Sequence, residues 1–208
     1  MFDNDFKKAI QNLPNAEKDK LILRLLKWDL VLANRLYFEL VETETAEDQR
    51  EKLKKEITTD LKRSNDRFYS LGYILMDMRN LSGLITEHVS KTKDKYGEIT
   101  LNMQLLTESI SLNKLYILNS KPQNCYTYCI YIIARAFKIL LLIKAQHEDL
   151  HIEFRADLFQ LGKLIGENNI LMKFGINNGL DVNWLLNFEI PENIILIHKE
   201  IRANGFLK

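Results

Sequence analysis

Residues 125–143 read CYTYCIYIIARAFKILLLI, and the reading of this stretch decides the fold. It is apolar almost all round. A helix with no polar face is one surrounded by other helices. The stretch nearly reaches the roughly 20 residues of a membrane span. Yet Arg135 and Lys138 sit three apart at its centre, and each would cost roughly 2.5–3.5 kcal/mol at the middle of a bilayer. No second comparable segment accompanies it. It therefore reads as the buried central helix of a soluble domain, running from about Asn124 to Phe154. A helical wheel drawn through that span puts His147 on the face of Cys129, Ile132, Ala136, Ile143, Leu150 and Phe154, which places its imidazole in the core.

The rest of the chain agrees with a helical fold. Three prolines and eight glycines in 208 residues leave few breaks. Sustained alternation of period two is missing, as are Asn-Gly or Asp-Gly turns between strand-like runs. The expected class is all-α: one domain, residues 1–208, of eight to ten helices. The net charge of +1 supplies no global field to draw in nucleic acid or an anionic membrane. Cys125 and Cys129 are four apart on one helix, the wrong geometry for a disulfide. Two reduced thiols fit a cytoplasmic location. The start, MFDNDFKKAIQNL, lacks the basic-then-apolar order of a signal peptide.

Local signals mark several helix ends. Asn15 and Asp29 can each cap a helix. Thr45, followed by acids, makes a strong start for a charged helix. Pro191 suits the first turn of a last helix. Gly205 suits a left-handed C-terminal cap, with Phe206 expected to fold back on it. Residues 13–41, LPNAEKDKLILRLLKWDLVLANRLYFELV, give two helices with almost no loop between them. This stretch resembles one unit of a HEAT- or armadillo-like helical repeat. The chain carries no complete catalytic set, so a binding or scaffold role, with protein partners or self-association, is expected.

Residues 147–151, HEDLH, match the letters of the H-E-x-x-H signature and so resemble a zinc metalloprotease. On one helix, His147 and His151 share a face. The resemblance implies zinc ligands at those positions and Glu148 as general base. A third ligand is needed. Asp157 stands at one family spacing, but Phe154 replaces the turning glycine. Without that turn Asp157 lies about 9 Å further along the axis than His151. Glu148-x-x-His151 also resembles half of the paired motif of di-iron bundles. His88 on another helix could complete a three-histidine zinc site with His147 and His151. The competing reading makes His147 packing in the core.

The run from Arg50 to Arg67 is basic but interleaved with acids. Lys54, Lys55, Lys62 and Arg63 are candidate phosphate contacts; intrahelical ion pairs are the competing use. Glu39-Leu-Val-Glu42 and Glu44-Thr-Ala-Glu47 match the first half of the magnesium motif of all-α nucleotide pyrophosphohydrolases, with no second half. Phosphate-cradling glycine loops are absent. The favoured reading is a non-catalytic binding or scaffold module with no cofactor and no membrane partner. The alternatives are a metal-dependent, hydrolase-like enzyme built on His147, Glu148 and His151, and a nucleic-acid binder acting through residues 50–67.

Overall fold

The computed structural model describes residues 2–208. Among them are twelve α-helical segments, a short 3₁₀ turn and no strand. The fold is all-α. Three helices come first: α1 (Asn4–Gln11), α2 (Asn15–Trp28) and α3 (Leu30–Leu40). Asp29 caps α3 by accepting from the Leu32 amide at 2.9 Å, as the sequence suggests. Asn15 behaves differently, since it is already helical and α2 starts without a side-chain cap.

The long helices follow: α4 (Ala46–Asp66), α5 (Leu71–Thr92), α6 (Lys95–Asn119) and α7 (Pro122–Lys144). α4 opens on a full capping box. The Thr45 hydroxyl accepts from the Asp48 amide, and the Asp48 carboxylate accepts from the Thr45 amide. Its thin apolar stripe, Leu53, Ile57 and Leu61, is the only part of it that is buried. α6 packs against α4, α5, α7 and α9. The centre of the fold is therefore a pair of helices, α6 and α7, rather than α7 alone.

α7 is the one described helix long and apolar enough to cross a membrane, and 56% of its most apolar stretch is buried against other helices. Tyr128 and Phe137 on α7 are fully buried, as is Phe154 beyond it. Each such side chain contributes roughly 1.5–3 kcal/mol by leaving water. α7 stops at Lys144, ten residues short of the helix expected to reach Phe154. The chain turns through Ala145 and Gln146, and His147 takes extended angles (φ −63°, ψ 142°). A one-turn helix α8 (Glu148–His151) and the 3₁₀ turn Ile152–Phe154 lead into α9 (Arg155–Gly166). The reason is local. Glu148 and Asp149 occupy the first turn of α8, where carboxylates meet the positive end of a helix.

Three shorter helices complete the chain: α10 (Asn169–Asn177), α11 (Asn183–Leu186) and α12 (Ile194–Ala203). α12 begins three residues after Pro191, which lies in the preceding turn. Its end is closed as expected by Gly205 at φ 87°. The Gly205 amide bonds Arg202 O, and the Phe206 amide bonds Ile201 O. This is the pair of reversed bonds that satisfies the last carbonyls of a helix. Phe206 stays half-exposed, and it is Leu207 that enters the core. Asn178 holds it there by accepting from the Leu207 amide at 3.1 Å.

Candidate functional site

The break after Lys144 changes the histidine question. His147 is not in the core: its side chain is 76% exposed. It caps α8, its Nδ1 accepting from the Asp149 amide at 3.4 Å, and it lies 3.1 Å from the Asp149 carboxylate. Because His147 precedes the helix, it does not share a helical face with His151. The His151 ring instead lies 3.2 Å from Gln146 O and edge-on to Phe188. Glu148 is exposed. Among the described residues, no group of three His, Cys, Asp or Glu side chains is placed to hold a metal ion. The expected convergence of His88, His147 and His151 is therefore not realised.

His88 is engaged elsewhere. It is buried, and its Nε2 lies 3.2 Å from Asp94 Oδ2. Asp94 also receives Arg50 Nη1 on both oxygens, at 3.1 and 2.9 Å. Its Oδ1 accepts from the Gly97 amide at 2.8 Å, which caps α6. Arg50 in turn lies over the Tyr96 ring, 5.1 Å from its centre. Burial pushes the Asp94 carboxyl up. The His88 bond, the Gly97 amide and the Arg50 charge outweigh it and hold the group below its ordinary 3.8. The cluster ties α4, α5 and α6 together. Its geometry is that of a clasp, with the Thr92 hydroxyl accepting from the Asp94 amide at 3.2 Å.

The four basic candidates on α4 do not form one face. Lys54 and Arg63 are nine residues apart, about half a turn out of phase. Lys54 pairs with Glu51 at 2.6 Å and lines the groove between α4 and α6. Arg63 pairs with Asp60 at 2.7 Å and lines a different cleft, toward α5. Lys55 and Lys62 share a face and point to solvent.

The feature the sequence reading passed over is at the N-terminus. Helices α1, α2 and α3 contain no buried residue. Thirteen large hydrophobic side chains between Phe2 and Val41 are exposed, half of all those exposed among the described residues. Trp28 is 87% exposed and Leu40 79%. On α1, Phe6 and Ile10 are four residues apart and share a face, and Phe2, just before the helix, lies against Phe6 with ring centres 5.1 Å apart. Of the three, α3 makes the extensive contact with the body, against α5. Phe38 sits under Lys91 at 5.6 Å, and Lys91 pairs with Glu42 just beyond α3. Between α3 and α5 lies a groove of about 510 Å³ lined by Val31, Asn34, Tyr37, Thr86, Glu87 and Ser90 among others.

The size of this surface sets it apart. Taking about 150 Å² for a fully exposed large hydrophobic side chain, it presents on the order of 1,000 Å² of apolar area. That total is spread over more than one face of the three helices. The signal was in the sequence: the wheel of α2 shows Leu21, Ile22, Leu23, Leu25, Leu26 and Trp28 over most of its circumference, more than one neighbouring helix can cover.

Compared with family models, with the curated proteins and with the solved structures, the chain matches none of them.

Proposed function

We propose that the chain is a non-catalytic interaction module that pairs with a second copy of itself through α1, α2 and α3. The observation that carries this reading is the absence of any buried residue in those helices alongside thirteen exposed large hydrophobics. Two further observations favour a like partner. The apolar area, on the order of 1,000 Å² over all faces, is large enough to furnish the apolar part of the roughly 800 Å² that each side of a standard interface buries. Residues 2–41 carry seven basic and six acidic side chains. This balance neither repels an identical copy nor selects a strongly charged partner. The α2–α3 hairpin then works as a repeat-like docking unit on a rigid body. The role needs no cofactor and fits a reducing cytoplasm, where Cys125 and Cys129 stay free.

The test is the mass in solution, by size-exclusion chromatography with light scattering, of the full chain and of a Leu25→Gln, Trp28→Glu variant. The expected result is a dimer that the variant converts to monomer with an unchanged thermal midpoint. A wild-type chain that stays monomeric at about 100 μM, well above the Kd of a stable pair, overturns the reading. So does a dimer indifferent to both substitutions.

A further inference from the structure

We propose that the cleft between α4 and α5 is a binding site for a nucleotide-type ligand, a flat ring carrying a phosphate. The cleft has a volume of about 680 Å³, within the roughly 300–1,000 Å³ of small-molecule sites. One wall is a single face of α4, Asp60, Arg63 and Ser64, continued by Arg67 at the C-cap of that helix. From α5 come Tyr73 and Asp77, which share a face, and Arg79, which reaches the cleft from further round the helix; Tyr69 stands just before α5.

Three guanidinium groups therefore line one cleft. Arg63 lies in the last turn of α4, Arg67 caps its C-terminal end, and Arg79 joins them from α5. Two carboxylates line it too, and both are engaged. Asp60 takes Arg63 at 2.7 Å, and Asp77 accepts from the Ser64 hydroxyl at 2.6 Å. Among the described residues, Arg67 and Arg79 have no ion pair. They are the groups free to take a phosphate, and arginine's planar fork suits that anion.

The ring site comes from the tyrosines. Tyr69 and Tyr73 are both exposed and meet edge to face, 5.0 Å between centres. Exposed aromatic faces are stacking platforms for bases, which they accept with little sequence preference. The turn that presents them is fixed from behind. Phe68 stacks on Tyr116 of α6 with centres 3.5 Å apart and planes at 5°, so Tyr69 is displayed on a held backbone rather than a free loop.

The experiment is isothermal titration of the full chain with AMP, adenosine, inorganic phosphate and a ten-residue deoxyadenosine oligomer. AMP is expected to bind more tightly than phosphate or adenosine alone. An Arg67→Gln, Arg79→Gln variant, both positions exposed and so safe for folding, is expected to weaken AMP by about tenfold or more. Tyr73→Leu is expected to weaken AMP and leave phosphate unchanged. Tighter binding of the oligomer than of AMP identifies a strand as the source of the ligand; equal or weaker binding identifies the free nucleotide. No heat with either at about 5 mM overturns the proposal. So does AMP binding that survives the double variant, or phosphate binding as tight as that of AMP.

Discussion

Replacing Asp94 by alanine removes one side chain that does three jobs. It caps α6, bonds Arg50 with both oxygens, and lies against His88. Losing the cap costs about 1 kcal/mol. Losing the carboxylate leaves the Arg50 guanidinium, whose side chain is only 12% exposed, with Glu47 at 3.3 Å as its remaining acid; breaking one partner of a buried pair costs about 3–5 kcal/mol, and the lower end applies while Glu47 stays. The same atoms serve both roles, so the two figures overlap and the total stays near about 3–5 kcal/mol. Total stability is about 5–15 kcal/mol, so the loss is severe. It corresponds to a fall in thermal midpoint of roughly 6–20 °C at about 2–4 °C per kcal/mol for a chain of this size.

Urea unfolding followed by circular dichroism measures this cost. Asp94→Asn separates the parts: asparagine still caps a helix but carries no charge, so most of the loss should remain. Adding Arg50→Met should recover part of it, because the cation left with Glu47 alone is gone. The pH dependence has a fixed sign. The folded carboxyl is held below its ordinary 3.8, so its contribution is complete above that value and fades as pH falls through the lower, folded value. The gap between wild type and Asp94→Asn should shrink below about pH 3.8. A loss under about 1 kcal/mol for Asp94→Ala, or a gap that widens in acid, refutes the reasoning.

Gly179 sits at φ 77°, and a Cβ there would meet Ile201 Cδ1 at 2.8 Å, so Gly179→Ala should cost about 1–3 kcal/mol by thermal melting. Thr45→Ala removes half of the α4 capping box and should cost about 1 kcal/mol in the same assay. Burial first, and Cys125 beside it, push the Cys129 thiol well above its ordinary 9.0. A thiol reagent at pH 8 should therefore leave Cys129 unlabelled until denaturant is added. His147→Ala lies at an exposed cap with a long bond and should change stability by no more than about 0.5 kcal/mol; a loss of several kcal/mol would restore the imidazole to the core.

How much of this was legible follows from the range of the forces. The all-α class rests on periodicity and on turn residues, which are local, and so do the caps at Asp29, Thr45 and Gly205. The end of α7 was also local, yet the wheel missed it. His147-Glu148-Asp149 reads as a helix interior only if the acids are ignored; two carboxylates in succession mark a helix start. That one misplaced boundary carried His147 from solvent into the core and made H-E-x-x-H look like a shared face. The clasp on Asp94 was not legible, because Arg50 lies 44 residues away. Nor was the cleft of Arg67, Arg79, Tyr69 and Tyr73, which exists only once α4 and α5 lie side by side.

The polar groups inside the body explain why the N-terminal helices can be spared for another purpose. Arg135 donates to Asn102 Oδ1 at 2.9 Å, to the Tyr131 hydroxyl at 2.7 Å and to Ser82. The Ser109 and Tyr128 hydroxyls meet at 2.8 Å, and Ser109 donates to Met78 Sδ at 3.1 Å. These bonds join α5, α6 and α7 at two levels and fix their register, since any slide would leave a buried donor or acceptor without a partner. The Asp94 clasp adds α4 to the set. Nothing comparable holds α1 or α2, and the buried apolar core begins at Leu53. Substitutions among residues 2–41 should therefore move association without moving the unfolding transition of the body, whereas substitutions at Asp94, Asn102 or Ser109 should do the reverse.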